Sequence, residues 1–104
     1  MRRTHSFTVI GALLGLMPSF AFAADGVAGR DLAQKWCAAC HLVAANQERA
    51  PTVAPPFATI AKRPDFDVEQ LTKSMIAPHP QMPGRELSRD QAADIAAYIA
   101  TLAK

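Results

Sequence analysis

Proline is the residue that most limits what this sequence can build. Pro51, Pro55, Pro56, Pro64, Pro78, Pro80 and Pro83 crowd into one stretch of the chain. Each lacks the N–H that a continuing helix needs and clashes with the preceding turn. Only short helices fit between them. No run alternates apolar and polar residues with β-branched enrichment, so no strand is predicted. The expected fold class is all-α, with several short helices separated by proline-rich loops.

The first helix is predicted over 27–39, where Gly29, Leu32, Ala33 and Trp36 recur at three- and four-residue steps. A loop over 42–56 follows, and a short helix over 57–62 stops before Pro64. Asp67 with Gln70 three residues on has the form of a capping box. The helix it opens carries Val68, Leu71 and Met75 on one face and ends at Pro78 and Pro80. The last helix has Ser88 as its cap, Gln91 completing the box and Asp90 in the positive first turn. Its buried stripe is Ala92, Ile95, Ile99 and Leu102, with Tyr98 beside it.

Ahead of these helices lies a sorting signal. Arg2 and Arg3 make a positive start, the stretch from Phe7 to Met17 is apolar and uncharged, and Pro18 ends it. Ala21-Phe22-Ala23 then places small residues where a signal peptidase reads, so 1–23 is expected to be cleaved. The apolar stretch is shorter than the roughly 20 residues a membrane span requires, which weighs against an uncleaved anchor. Of the 104 residues, loss of 1–23 leaves 81, the single domain 24–104. Arg2 and Arg3 go with the leader, so the mature domain is formally neutral. Nothing basic remains to bind nucleic acid or an anionic lipid surface. A domain this small buries little apolar surface and often depends on a disulfide, metal or cofactor. Trp36, Tyr98, Phe57 and Phe66 are its only aromatics, so something else is expected to fill the core.

Cys37-Ala38-Ala39-Cys40-His41 names that something. C-x-x-C-H is the attachment signature for c-type haem. Cysteines three apart lie on nearly one side of a helical turn, and each can form a thioether with one porphyrin vinyl group. His41 then lies under the ring and can offer a nitrogen to the iron. Export outside the cytoplasm, where haem is attached, fits the same reading. A structural zinc site would need four ligands, usually two such pairs, and only one pair is present. Trp36-Cys37-x-x-Cys40 also looks like a thiol–disulfide oxidoreductase site, but that motif belongs beside a βαβ unit. On the residues alone, the second axial ligand could be Met82, Met75 or His79. Met75 reads better as core packing, and His79 as a solvent-facing loop residue between prolines.

The sequence resembles the class I cytochrome c family over nearly all of 24–104. The resemblance rests on the Gly29 helix leading into Cys37-Ala38-Ala39-Cys40-His41, and on Ala54-Pro55-Pro56-Phe57, which is similar to the family's Gly-Pro-x-Leu segment. It rests further on Met82-Pro83, Leu87-Ser88 and the run Ala92-Ala93-Asp94-Ile95-Ala96-Ala97-Tyr98-Ile99. It implies three to five short helices wrapped around one haem held by Cys37 and Cys40. It implies His41 and Met82 as axial ligands and the Pro55 carbonyl as acceptor for the other His41 nitrogen. It also implies that the first and last helices cross closely, with Gly29 facing an aromatic such as Tyr98. The chain departs from the pattern in having alanine where the family often has glycine, and in Pro56, which offers a second carbonyl.

The function expected is one-electron transfer by a periplasmic monohaem carrier, not catalysis on a substrate. Its partners would be redox proteins, a dehydrogenase or cytochrome complex as donor and an oxidase or reductase as acceptor. The mature protein would be a monomer free of the membrane. The haem would lie among Leu32, Trp36, Phe57, Ile60, Leu71 and Met75. Two other haem readings stand beside this one. A dedicated subunit of one periplasmic dehydrogenase would suit the neutral charge, and a ligand sensor would require Met82 to be absent from the iron.

Overall fold

The computed structural model describes residues 11–12, 15–16, 23–77 and 86–104. Four helices are found among these residues: α1 Gly26–Trp36, α2 Phe57–Ala61, α3 Val68–Ile76 and α4 Arg89–Ala100, the last running into a 3₁₀ turn at Thr101–Ala103. There is no strand among the described residues, so the βαβ setting of a thiol–disulfide oxidoreductase is missing there. No helix among them is long and apolar enough to cross a membrane.

Side-chain caps set the starts of α1, α3 and α4. Asp25 accepts hydrogen bonds from the N–H groups of Val27 and Ala28 at the head of α1. Asp67 accepts from Gln70 N–H at 2.8 Å, as its place three residues earlier suggests. At α4 both halves of the capping box are made: Gln91 N–H donates to Ser88 Oγ at 3.1 Å, and Ser88 N–H donates to Gln91 Oε1 at 3.0 Å. Ala77, the residue before Pro78, is extended and caps α3, as the proline ring next to it requires.

α1 and α4 form the most extensive contact in the domain. Gly29 makes their crossing possible. A Cβ on Gly29 would sit 1.9 Å from the Asp94 carbonyl oxygen and 2.8 Å from Ile95 N, so the helices touch backbone to backbone. Tyr98 lies instead beside Gly26, one turn earlier, where a Cβ would find 3.7 Å of room. Gly29 therefore faces main chain, with the aromatic a turn away. The Asp94 carboxylate fastens the same crossing by accepting from Asp25 N–H at 2.7 Å.

The core is Ala33, Val43, Phe57, Ala61, Ile95, Tyr98 and Ile99. α3 enters it on its expected face, with Leu71 and Met75 packed against the core and Thr72 beside them, while Val68 at the helix start stays more open. Val68 is 38% exposed, while Thr72 is 3% exposed. Threonine is tolerated there because its hydroxyl donates within the helix to the Val68 carbonyl at 2.7 Å, leaving its methyl to pack. Outside the core, Arg89 reaches from α4 to Glu69 on α3 at 3.0 Å, with Lys73 3.7 Å from the same oxygen. These groups are largely exposed and contribute only about 0–1 kcal/mol.

Candidate haem site

α1 stops at Trp36, three residues short of the expected end. The Ala33 carbonyl accepts from both Cys37 N–H and Ala38 N–H, and the chain then tightens. The Cys37 carbonyl accepts from Cys40 N–H at 3.1 Å and from His41 N–H at 2.9 Å. The motif is thus coiled in turns past the helix end. Cys37 is half-buried and Cys40 exposed. The two-cysteine spacing still falls within one turn, as thioether attachment to two vinyl groups needs.

His41 Nδ1 lies 2.6 Å from the Pro55 carbonyl oxygen. A carbonyl can only accept, so Nδ1 carries the proton and donates. Nε2 is left as the nitrogen with a lone pair to offer a metal. An acceptor this close fixes the plane of the ring and the tautomer that leaves Nε2 open to a metal. Phe57 supports the ring from the side, with centroids 5.1 Å apart and planes tilted by 51°. Pro56, the competing carbonyl, is occupied elsewhere: it accepts from Thr59 and Ile60 N–H and opens α2. The second proline in the sequence is therefore a helix start.

The segment around His41 is held on every side. Ala54 N–H donates to the Cys40 carbonyl at 3.1 Å, and Phe57 N–H to the Leu42 carbonyl at 3.0 Å. Tyr98 Oη donates to the Val43 carbonyl at 2.6 Å from inside the core. Gln47, in a loop that carried no readable signal, adds three more bonds. Its Oε1 accepts from Val43 N–H at 2.9 Å, and its Nε2 donates to the carbonyls of Ala38 at 3.1 Å and His41 at 3.3 Å.

The side chains expected around a haem also fit one. Phe57 is 3% exposed. Leu32, Ile60, Leu71 and Met75 pack against the core but are only partly covered, and Trp36 is half-buried. Partly covered apolar side chains on the core that Cys37 also packs against, and an imidazole with a lone pair to offer, are compatible with a covalently attached porphyrin. Among the described residues no group of three or more His, Cys, Asp or Glu could hold a metal ion. Met82 and His79 lie outside the described residues.

A helical domain with one such attachment site defines a class of protein, the monohaem electron carriers. Residues 26–103 match the family described as Cytochrome c. A cytochrome c-552 of Bradyrhizobium diazoefficiens is 52% identical over 84 residues, covering 81% of this chain and 81% of the relative. No solved structure matches. The chain belongs to the cytochrome c family, whose cofactor is covalently held haem c, and Cys37 and Cys40 have the spacing that holds it.

Proposed function

We propose that this chain is a periplasmic one-electron carrier in which His41 and Met82 ligate the iron of a haem bound through Cys37 and Cys40. The observation that carries the reading is the 2.6 Å contact between His41 Nδ1 and the Pro55 carbonyl, which leaves Nε2 as the nitrogen that can reach an iron. The bound iron supplies a ferric–ferrous couple, so the protein takes one electron from a donor and gives one to an acceptor. The residues of the chain set how easily that happens. Pro55 holds the proton on Nδ1 and keeps the ring plane fixed in both oxidation states. The Met82 thioether favours the ferrous form relative to a second imidazole. Were His41 and Met82 both to hold the iron, no coordination site would be left for a substrate, and the protein is proposed not to be an enzyme.

Location follows from the leader. The four helices among the described residues lie after the proposed Ala23 cut, and Asp25 caps α1 one residue beyond Ala24. Cleavage there would leave the folded part intact and export it to the compartment where redox partners of this kind work. The mature domain is proposed to be soluble and monomeric, meeting its donor and acceptor in brief encounters.

The test is fractionation and redox titration of the chain expressed in a host that matures c-type cytochromes. The account expects periplasmic holoprotein with Ala24 at its N-terminus, one haem per chain, and reversible titration by one electron. Haem protein that retains residues 1–23 in the membrane would contradict the location. Holoprotein that co-purifies in fixed ratio with a larger dehydrogenase would replace the diffusible carrier with a dedicated subunit.

A further inference from the structure

We propose that Gln47 is a positioning residue for the His41 imidazole, acting through the main chain on both sides of Cys40; this rests on the reading of His41 as an iron ligand. The backbone groups from Ala38 to Val43 divide between two kinds of partner. Tertiary neighbours already hold three of their carbonyls: Ala54 N–H takes Cys40, Phe57 N–H takes Leu42, and Tyr98 Oη takes Val43. The carbonyls of Ala38 and His41 and the N–H of Val43 are taken by one side chain, the Gln47 amide. A turn makes this possible, since Gln47 N–H donates to the Ala44 carbonyl at 3.2 Å and brings the chain back onto the motif. Gln47 is half-buried, where an amide with both ends paired is stable and an unpaired one is not.

The amide uses both of its functions. Its oxygen accepts on the Val43 side and its nitrogen donates twice on the cysteine–histidine side, so no residue that only donates or only accepts can replace it. The consequence lies at the other end of His41. The short Nδ1–H···O=C contact to Pro55 survives only while the His41 main chain is fixed relative to residue 55. When the His41 carbonyl is released, the ring can swing and that contact lengthens. A longer contact makes the imidazole a poorer electron donor, which destabilises ferric iron more than ferrous.

Gln47→Met keeps the length of the side chain and removes all three bonds. In the holoprotein it is expected to shift the ferrous-to-ferric ratio, measured at the wild-type midpoint potential, by about twofold or more toward ferrous. The His41 Nδ1–H proton resonance of the ferrous form is expected to move upfield as its hydrogen bond weakens. Ser88→Ala serves as the control, because it removes a cap on α4 and lowers stability without touching the site. If Gln47→Met lowers the denaturation midpoint as Ser88→Ala does but leaves both the potential and the resonance at wild-type values, Gln47 only stabilises the fold and the proposal is wrong. An unchanged protein in all three measurements overturns it as well. Should Gln47→Met fail to mature, Gln47→Asn, one methylene shorter with its amide retained, carries the same two readouts. Failure of the ligand reading is told apart because it shows in the wild type, as a His41 ring proton with no haem-induced shift.

Discussion

Replacing Gly29 with alanine is expected to lower the stability of the holoprotein by about 3 kcal/mol or more, the upper end of what overpacking costs. The added Cβ would fall 1.9 Å from the Asp94 carbonyl oxygen and 2.3 Å from its carbon. Neither atom is the tip of a side chain that could turn away. Both belong to the backbone of α4, so the helices must part. Parting them loosens Ala33, Ile95 and Ile99 and stretches the bond from Asp25 N–H to the Asp94 carboxylate. Alanine has the better helix propensity, by about 1 kcal/mol, and this does not offset the clash. A domain of this size has only about 4–12 kcal/mol of total stability, at roughly 0.05–0.15 kcal/mol per residue. Gly26→Ala is the contrasting case. Its Cβ would meet nothing closer than 3.7 Å, and the variant is expected to be neutral or slightly stabilised. Denaturant midpoints of the two variants, measured side by side, check the difference. Equal midpoints would mean that the backbone contact at Gly29 does not set the crossing.

The larger effect is expected from Cys37→Ser together with Cys40→Ser. Without the thiols the haem cannot be held covalently, and the protein should lose most of its helix and its cooperative unfolding transition. The reason is the poverty of the core. Nine hydrophobic residues are buried among those described, and four of them are alanine: Ala33, Ala61, Ala92 and Ala96. The largest fully buried side chains are only Ile95, Ile99 and Val43. Leu32, Ile60, Leu71 and Met75 touch the core but remain partly open. Each fully buried side chain of this kind stabilises by about 1.5–3 kcal/mol, and without a porphyrin against them that burial is incomplete. Backbone ordering still costs about 1–2 kcal/mol per residue. Far-ultraviolet circular dichroism and a thermal scan of the purified variant check this. Native helix content with a sharp transition would mean that the polypeptide folds unaided and the haem merely occupies it.

The parts of this structure that sequence makes legible are those whose physics is local. Ser88 and Gln91 stand three apart and make both bonds of the box they spell. Asp67 caps α3 for the same reason. The Pro55 contact was implied by resemblance, and the structure adds why Pro56 does not compete: its carbonyl starts α2. What stayed hidden depends on partners distant in the chain. Tyr98 bonds to Val43 across 55 positions, and Asp94 to Asp25 across 69. Gln47 reads as an ordinary loop residue because its partners are main-chain groups, which carry no sequence signal at all. Asp25 could have been found, since an aspartate directly before a helical pattern is a strong cap. Thr72 lies four residues from Val68 on the same face, but its hydroxyl marks it as polar, and only the path of α3 over the core makes it the more deeply buried of the two.

Function turns on the proposed ligation of one covalently bound haem iron by His41 and Met82 together. It is tested most directly by the ferric absorption spectrum of the mature holoprotein beside that of Met82→Ala. The account predicts a weak far-red charge-transfer band from sulfur ligation in the wild type, its loss in Met82→Ala, and a lower reduction potential in the variant. A wild-type protein with haem bound and no such band, or a band that survives Met82→Ala, would contradict it and place another residue or an open position opposite His41.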